Sequence, residues 1–134
     1  MFTAKAKWTE KFQFEATSSS GHAILIDGDN QIASSPMELV LAALCGCTGY
    51  DVVSILQKKR EQITKYRVEV RGERREDHPR SYKRMEVRHI VTGKGVSPKA
   101  VAQAIELSEQ KYCSVAATLR PTAEVISSYE IIEA

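Results

Sequence analysis

A single α+β domain, with a mostly antiparallel sheet packed on helices, is the fold class this sequence predicts. Three observations carry the prediction. Three short β-compatible segments precede a helix of some six turns, two alternating segments follow it, and a further helical stretch leads into a carboxy-terminal strand rich in Val and Ile. The 134 residues suffice for one domain with a real core, and no break in composition asks for a second.

Phe2 to Trp8, Lys11 to Thr17 and His22 to Asp27 are separated by Thr9-Glu10 and by the polar run SSSG, and read as a small antiparallel meander. The segment GDNQIASSP then turns the chain and prepares a helix. Ser35 suits the N-cap, Pro36 suits the first helical position because its missing N–H is not needed there, and Glu38 sits where a capping box places its carboxylate. From Pro36 to about Lys59 the pattern is helical, and between Leu39 and Cys47 it is apolar on every side, as in a helix buried through much of its circumference. One chain of this length would struggle to surround such a helix alone. Asp51, Ser54 and Gln57 then bring polarity back before the charged end KKRE.

Tyr66, Val68 and Val70 alternate with Lys65, Arg67, Glu69 and Arg71, while Met85, Val87 and His89 alternate with Arg84, Glu86, Arg88 and Ile90. Two strands thus each turn one face inward, with REDHPRSY between them as a turn or loop. After TGKGVSP a second helix is predicted from about Pro98 to Gln110. A short third helix follows around Ser114 to Leu119, Pro121 breaks it, and a strand from about Ala123 to Ile132 closes the order β-β-β-α-β-β-α-α-β.

Composition excludes several function classes. With 19 Lys and Arg against 17 Asp and Glu, the formal charge of +2 implies no polyanion partner. The span Lys58 to Arg88 holds 12 basic residues against six acidic ones, but no recognition helix, GxxG loop or zinc-finger spacing accompanies them, so a solvated hairpin face is expected and nucleic acid is not. The amino terminus lacks a secretory pattern. The longest uncharged apolar stretch, Leu39 to Tyr50, is 12 residues against the roughly 20 that span a bilayer, so no membrane partner and a cytoplasmic location are expected. Three cysteines make no disulfide framework. No Walker loop, GxGxxG, GxSxG or HExxH is present, and no cofactor is expected.

The chemistry concentrates in ALCGCTGYDVV. Cys45 and Cys47 are about 200° apart around a helix, so they cannot chelate one ion or pair with each other inside it, and the other His and Cys residues have no ligand spacing; no metal is expected. Cys45 reads as a small core side chain. Cys47 shares a mixed face with Val40, Tyr50 and Asp51, and Cys113, at a helix boundary, is placed where backbone N–H groups could lower a thiol pKa. The residues alone leave core packing and a redox pair both open. Glu38 reads as a helix cap or a general base, and Asp51 as a helix-surface residue.

SPMELVLAALCGC, with a cysteine 11 residues after the proline, and KYCSVA resemble the two cysteine segments of the OsmC/Ohr family (osmotically inducible protein C and organic hydroperoxide resistance protein); DVVSILQKKR and GERRE look closest to its YhfA-like branch. The resemblance covers essentially the whole chain. It implies an OsmC-like intertwined homodimer, mostly antiparallel sheets wrapped around central helices, with the partner covering Leu39 to Cys47. It further implies a stress-response thiol peroxidase in which Cys47 attacks an organic hydroperoxide and becomes a sulfenic acid. Cys113 then captures it as a disulfide, and a thiol reductant restores both. The chain departs from the family pattern at Met37, where the family has a glutamate followed here by Glu38, at the early strands, which offer Lys5, Lys7, Lys11 and His22 but no arginine, and at Cys113-Ser114 in place of Cys-Pro. The competing class is a non-enzymatic dimer that binds a small apolar or electrophilic ligand at the subunit interface.

Overall fold

The amino-terminal segments form the expected meander. In the computed structural model, which describes all residues from Met1 to Ala134, β1 (Ala4–Glu10), β2 (Gln13–Ser18) and β3 (Ala23–Asp27) make an antiparallel sheet in the order β1-β2-β3. The second strand starts two residues later than expected because Lys11, at φ 50°, and Phe12 make the turn, where Trp8 Nε1 donates to the Lys11 carbonyl at 2.8 Å. Gly21, at φ 89°, supplies the left-handed position in the next turn, which other residues adopt only with strain.

The loop after β3 is organised by one side chain. Asp27 is 1% exposed, and its carboxylate accepts the N–H groups of Asp29 at 2.9 Å and of Gln31 and Ile32 at 3.0 Å. These bonds, led by that from Ile32, hold its pKa below the usual carboxylate range. Ser35 and Glu38 then form the expected capping box, the Ser35 N–H and hydroxyl donating to Glu38 Oε1 at 2.9 and 3.0 Å.

The chain divides into two compact units, Met1–Val40 and Leu41–Ala134. Helix α1 (Pro36–Lys58) starts in the first and continues into the second, ending where Arg60 adopts φ 59°. It is long and apolar enough to cross a membrane by length and composition, but Leu44, Val52 and Leu56 are at most 1% exposed and serve the protein core. In the second unit β4 (Gln62–Arg74) pairs antiparallel with β5 (Tyr82–Lys94), with Val68 opposite His89. Helix α2 (Pro98–Leu107) is capped by Ser97, whose hydroxyl accepts the Ala100 N–H at 3.2 Å. Val52 and Leu56 pack with Val91 of β5 and with Val96, Val101, Ala104 and Ile105 around α2.

Two differences from expectation bear on the site. The second helix leaves the α pattern at Ser108 and continues as a π-helical turn, Ser108–Tyr112, before α3 (Ser114–Leu119). The last strand, β6 (Glu124–Glu133), pairs with β5 in parallel, so this sheet is mixed and separate from the first rather than part of one mostly antiparallel sheet. The physical reason is connectivity: the helical crossover from β5 returns the chain to the starting end of the sheet, so β6 runs in the direction of β5. The basic excess lies on the exposed side of this sheet, where Arg67–Glu69, Arg71–Glu86 and Arg88–Glu130 pair at 3.1, 3.8 and 2.9 Å. Such solvated pairs contribute about 0–1 kcal/mol each.

Candidate functional site

Helical geometry separates Cys45 from Cys47 as their spacing requires. The Cys45 thiol points to β4 and donates to the Val68 carbonyl at 3.9 Å, and burial pushes its pKa up. It lines an open groove of about 590 Å³ with Gly49, Tyr50, Val53, Tyr66 and Val68.

Cys47 points the other way and meets Cys113. The two thiols, 66 positions apart in sequence, are close enough for Cys47 to perturb Cys113, and both are free. Cys113 is carried by the π-helical turn, whose last bond runs from the Cys113 N–H to the Ser108 carbonyl at 2.8 Å, and its sulfur accepts the Ala116 N–H at 3.4 Å as the cap of α3. The thiol is 3% exposed, whereas Cys47 is half-buried. The lowered Cys113 pKa expected at a helix start is therefore corrected. Burial dominates and pushes it up to about 11; the Ala116 N–H opposes this, while Cys47 and the charge of Asp51 add to it.

Asp51 is half-buried beside this pair rather than a plain helix-surface residue. The buried Ser108 hydroxyl donates to its Oδ2 at 2.8 Å and also bonds the Thr48 hydroxyl at 2.9 Å. Thr48 and Ser108 went unnoticed in the sequence, although Thr48 and Asp51 stand three residues apart on one helix face, the available signal. Glu38 remains a cap: its carboxylate serves Ser35, which holds its pKa below the usual range. Of the early-strand cations, Lys11 lies near Asp27 and His22 bonds the Ser20 hydroxyl at 2.9 Å. No group of three or more His, Cys, Asp or Glu side chains is arranged to hold a metal ion.

A second polar cluster lies behind the groove. His89 is 0% exposed, its Nδ1 lies 2.7 Å from the Tyr66 hydroxyl, and its Nε2 has no partner. Burial pushes the imidazole pKa down to about 4 and the Tyr66 phenol up, the latter with a smaller contribution from Cys45. An inward His89 follows from the strand alternation; its pairing with Tyr66 across the strands does not.

Residues 28–128 match the family described as OsmC-like protein. Protein YhfA of Escherichia coli K12 is 46% identical over 132 residues, 98% of each chain. A crystal structure of a hypothetical protein from Aquifex aeolicus VF5 shares 31% identity, covers 100% of this chain and 98% of its own, and superposes with a TM-score of 0.91. The organic hydroperoxide resistance protein OhrB of Bacillus subtilis has the same fold at 15% identity, with a TM-score of 0.66 over 97% of this chain and 98% of its own. A proline-led helix that carries one cysteine toward a second, and these similarities over nearly the full length, place the chain in the OsmC/Ohr family, on its YhfA-like branch.

Proposed function

We propose that this chain is a thiol-dependent peroxidase that reduces organic hydroperoxides through Cys47 and Cys113. The observation that carries the reading is the meeting of these two thiols, from separate helical segments, while Cys45 faces away. The Cys47 thiolate attacks the terminal peroxide oxygen, the O–O bond breaks, and the alkoxide leaves as an alcohol after taking a proton. The resulting sulfenic acid is attacked by Cys113; the S–O bond breaks, water leaves and a disulfide forms. A cellular thiol returns two electrons to reopen it, which suits a cytoplasmic, reducing setting. Cys113 stays a buried thiol until this step, so it does not compete for peroxide. Glu38 keeps its structural role as a cap.

The working unit is a single-domain chain paired with a second copy. In the meander Trp8, Phe12, Ile24 and Leu25 are 65, 64, 50 and 49% exposed, and Ala42 and Ala43 of the apolar half of α1 are exposed too, apolar surface that a second copy would cover. The groove beside Cys45 favours one further reading, a binding protein for a small apolar or electrophilic ligand.

The test is thiol mapping by intact mass and peptide analysis after stoichiometric cumene hydroperoxide. Loss of two hydrogens localised to Cys47 and Cys113, abolished by Cys47→Ser and retained by Cys45→Ala, is the expected result. Slow, indiscriminate oxidation of all three thiols would refute the peroxidase and leave the ligand-binding reading.

A further inference from the structure

Ser108 is 0% exposed, yet both hydrogen bonds of its hydroxyl are made to side chains of α1. A hydroxyl has one proton, and this one goes to Asp51 Oδ2, so Thr48 is the donor in the other bond and the chain runs Thr48 to Ser108 to Asp51. Buried hydroxyls cost free energy unless bonded, and apolar residues would fill the same space without that requirement. Two placements explain the arrangement. Asp51 is four residues, about one helical turn, beyond Cys47. Ser108 opens the π-helical turn, and its carbonyl accepts the Cys113 N–H at 2.8 Å. A continuous path of hydrogen bonds and one helical turn thus joins one thiol to the other.

We propose that the Thr48–Ser108–Asp51 chain is a clamp that pins the π-helical turn carrying Cys113 to the turn of α1 carrying Cys47, and so sets how readily the two thiols close into a disulfide. Thr48, Ser108 and Asp51 are positioning residues, and the step they position is the disulfide closure of the proposed function, on which their role in catalysis rests. A disulfide demands a Cβ···Cβ separation of about 3.5–4.5 Å and a dihedral near a right angle, so small freedom of the turn lowers the effective concentration of one thiol at the other. Asp51 has a second effect through its charge. The groups facing Cys113 are Cys47 and Asp51 from α1 and the Ala116 N–H from α3, and among them the Asp51 charge disfavours the Cys113 thiolate.

The experiment uses the full chain equilibrated in glutathione redox buffers, with closure followed separately after cumene hydroperoxide by trapping sulfenic acid with dimedone. Ser108→Ala, which breaks the clamp, is expected to lower the equilibrium constant for the Cys47–Cys113 disulfide about tenfold, a shift of about 30 mV. It should prolong the sulfenic acid without changing the rate of its formation. Thr48→Val, of nearly the same shape, gives a smaller loss of the same kind and guards against a misfolded Ser108→Ala. Asp51→Asn keeps the acceptor for Ser108 but not the charge, so its equilibrium constant stays within about twofold of the parent while the pH midpoint of closure moves to lower pH, which a purely structural role would not produce. Parent-like constants in both Ser108→Ala and Thr48→Val, or a parent protein that forms no such disulfide even with diamide, would overturn the clamp. A parent that closes in glutathione buffer but not with hydroperoxide, together with the tenfold loss in Ser108→Ala, supports the clamp and refutes the peroxidase.

Discussion

Replacing Cys113 with serine should remove a specific part of the protein's alkaline instability. The folded chain holds this thiol at about 11 against an ordinary value of 9.0, chiefly because it is 3% exposed. Between these values the unfolded chain has released the proton and the folded chain has not, so stability from this group is intact below pH 9 and falls as pH rises toward 11. One pKa unit corresponds to about 1.4 kcal/mol, and the two-unit gap therefore gives a loss of about 3 kcal/mol. Cys45 and Tyr66 are also pushed up by burial and add their own alkaline losses, so the quantity to read is the difference between the parent and Cys113→Ser. Urea unfolding followed by far-UV circular dichroism, at one protein concentration with a phosphine reductant, measures it at pH 8, 9, 10 and 11. The two stabilities should converge toward high pH. Parallel curves across pH 9 to 11 would refute the buried, protonated Cys113 on which the proposed division of labour between the thiols depends.

Three further outcomes are expected. His89, with its pKa pushed down to about 4 by burial, contributes stability that is complete above pH 6.5 and lost as pH falls toward 4, about 3 kcal/mol in all; Asp27 and Glu38 add acid losses common to both proteins, so urea titrations should show a steeper loss between pH 6.5 and 4 in the parent than in His89→Gln. Gly72→Ala places a methyl 2.5 Å from Tyr82 Cε1 and 2.9 Å from Leu41 Cδ2, an overpacking that should cost about 1–3 kcal/mol, read as a lower urea midpoint with unchanged slope. Light scattering after size-exclusion chromatography should give twice the chain mass of 14.9 kDa, and a monomer would contradict the proposed pairing with a second copy.

Much of the fold was legible because its signals are local. Ser35, Pro36 and Glu38 specify the start of α1 within four residues, and the capping box forms as they dictate. The alternation Tyr66, Val68, Val70 against charged neighbours specifies the middle of β4, where those three side chains are half-buried and their neighbours exposed. The parallel pairing of β6 was not legible, because strand direction depends on where a crossover delivers the chain and not on the strand's own residues. The π-helical turn was missed for a related reason: SEQKY reads as more α-helix, and the feature that sets it apart, the Ser108 hydroxyl bonded to Thr48 and Asp51, comes from a helix some 57 residues earlier.

By itself the sequence determined the elements, the opposite facing of Cys45 and Cys47, and the segments that resemble a thiol-redox family. These follow from caps, alternation and the 100° step of a helix, all readable within a few residues. Only the tertiary structure decided that Cys47 meets Cys113, that burial raises the Cys113 pKa where its helix position alone would lower it, and that Asp51 is bound to a buried serine. Electrostatic environment and thiol distance are properties of packing between distant segments, which no local pattern encodes.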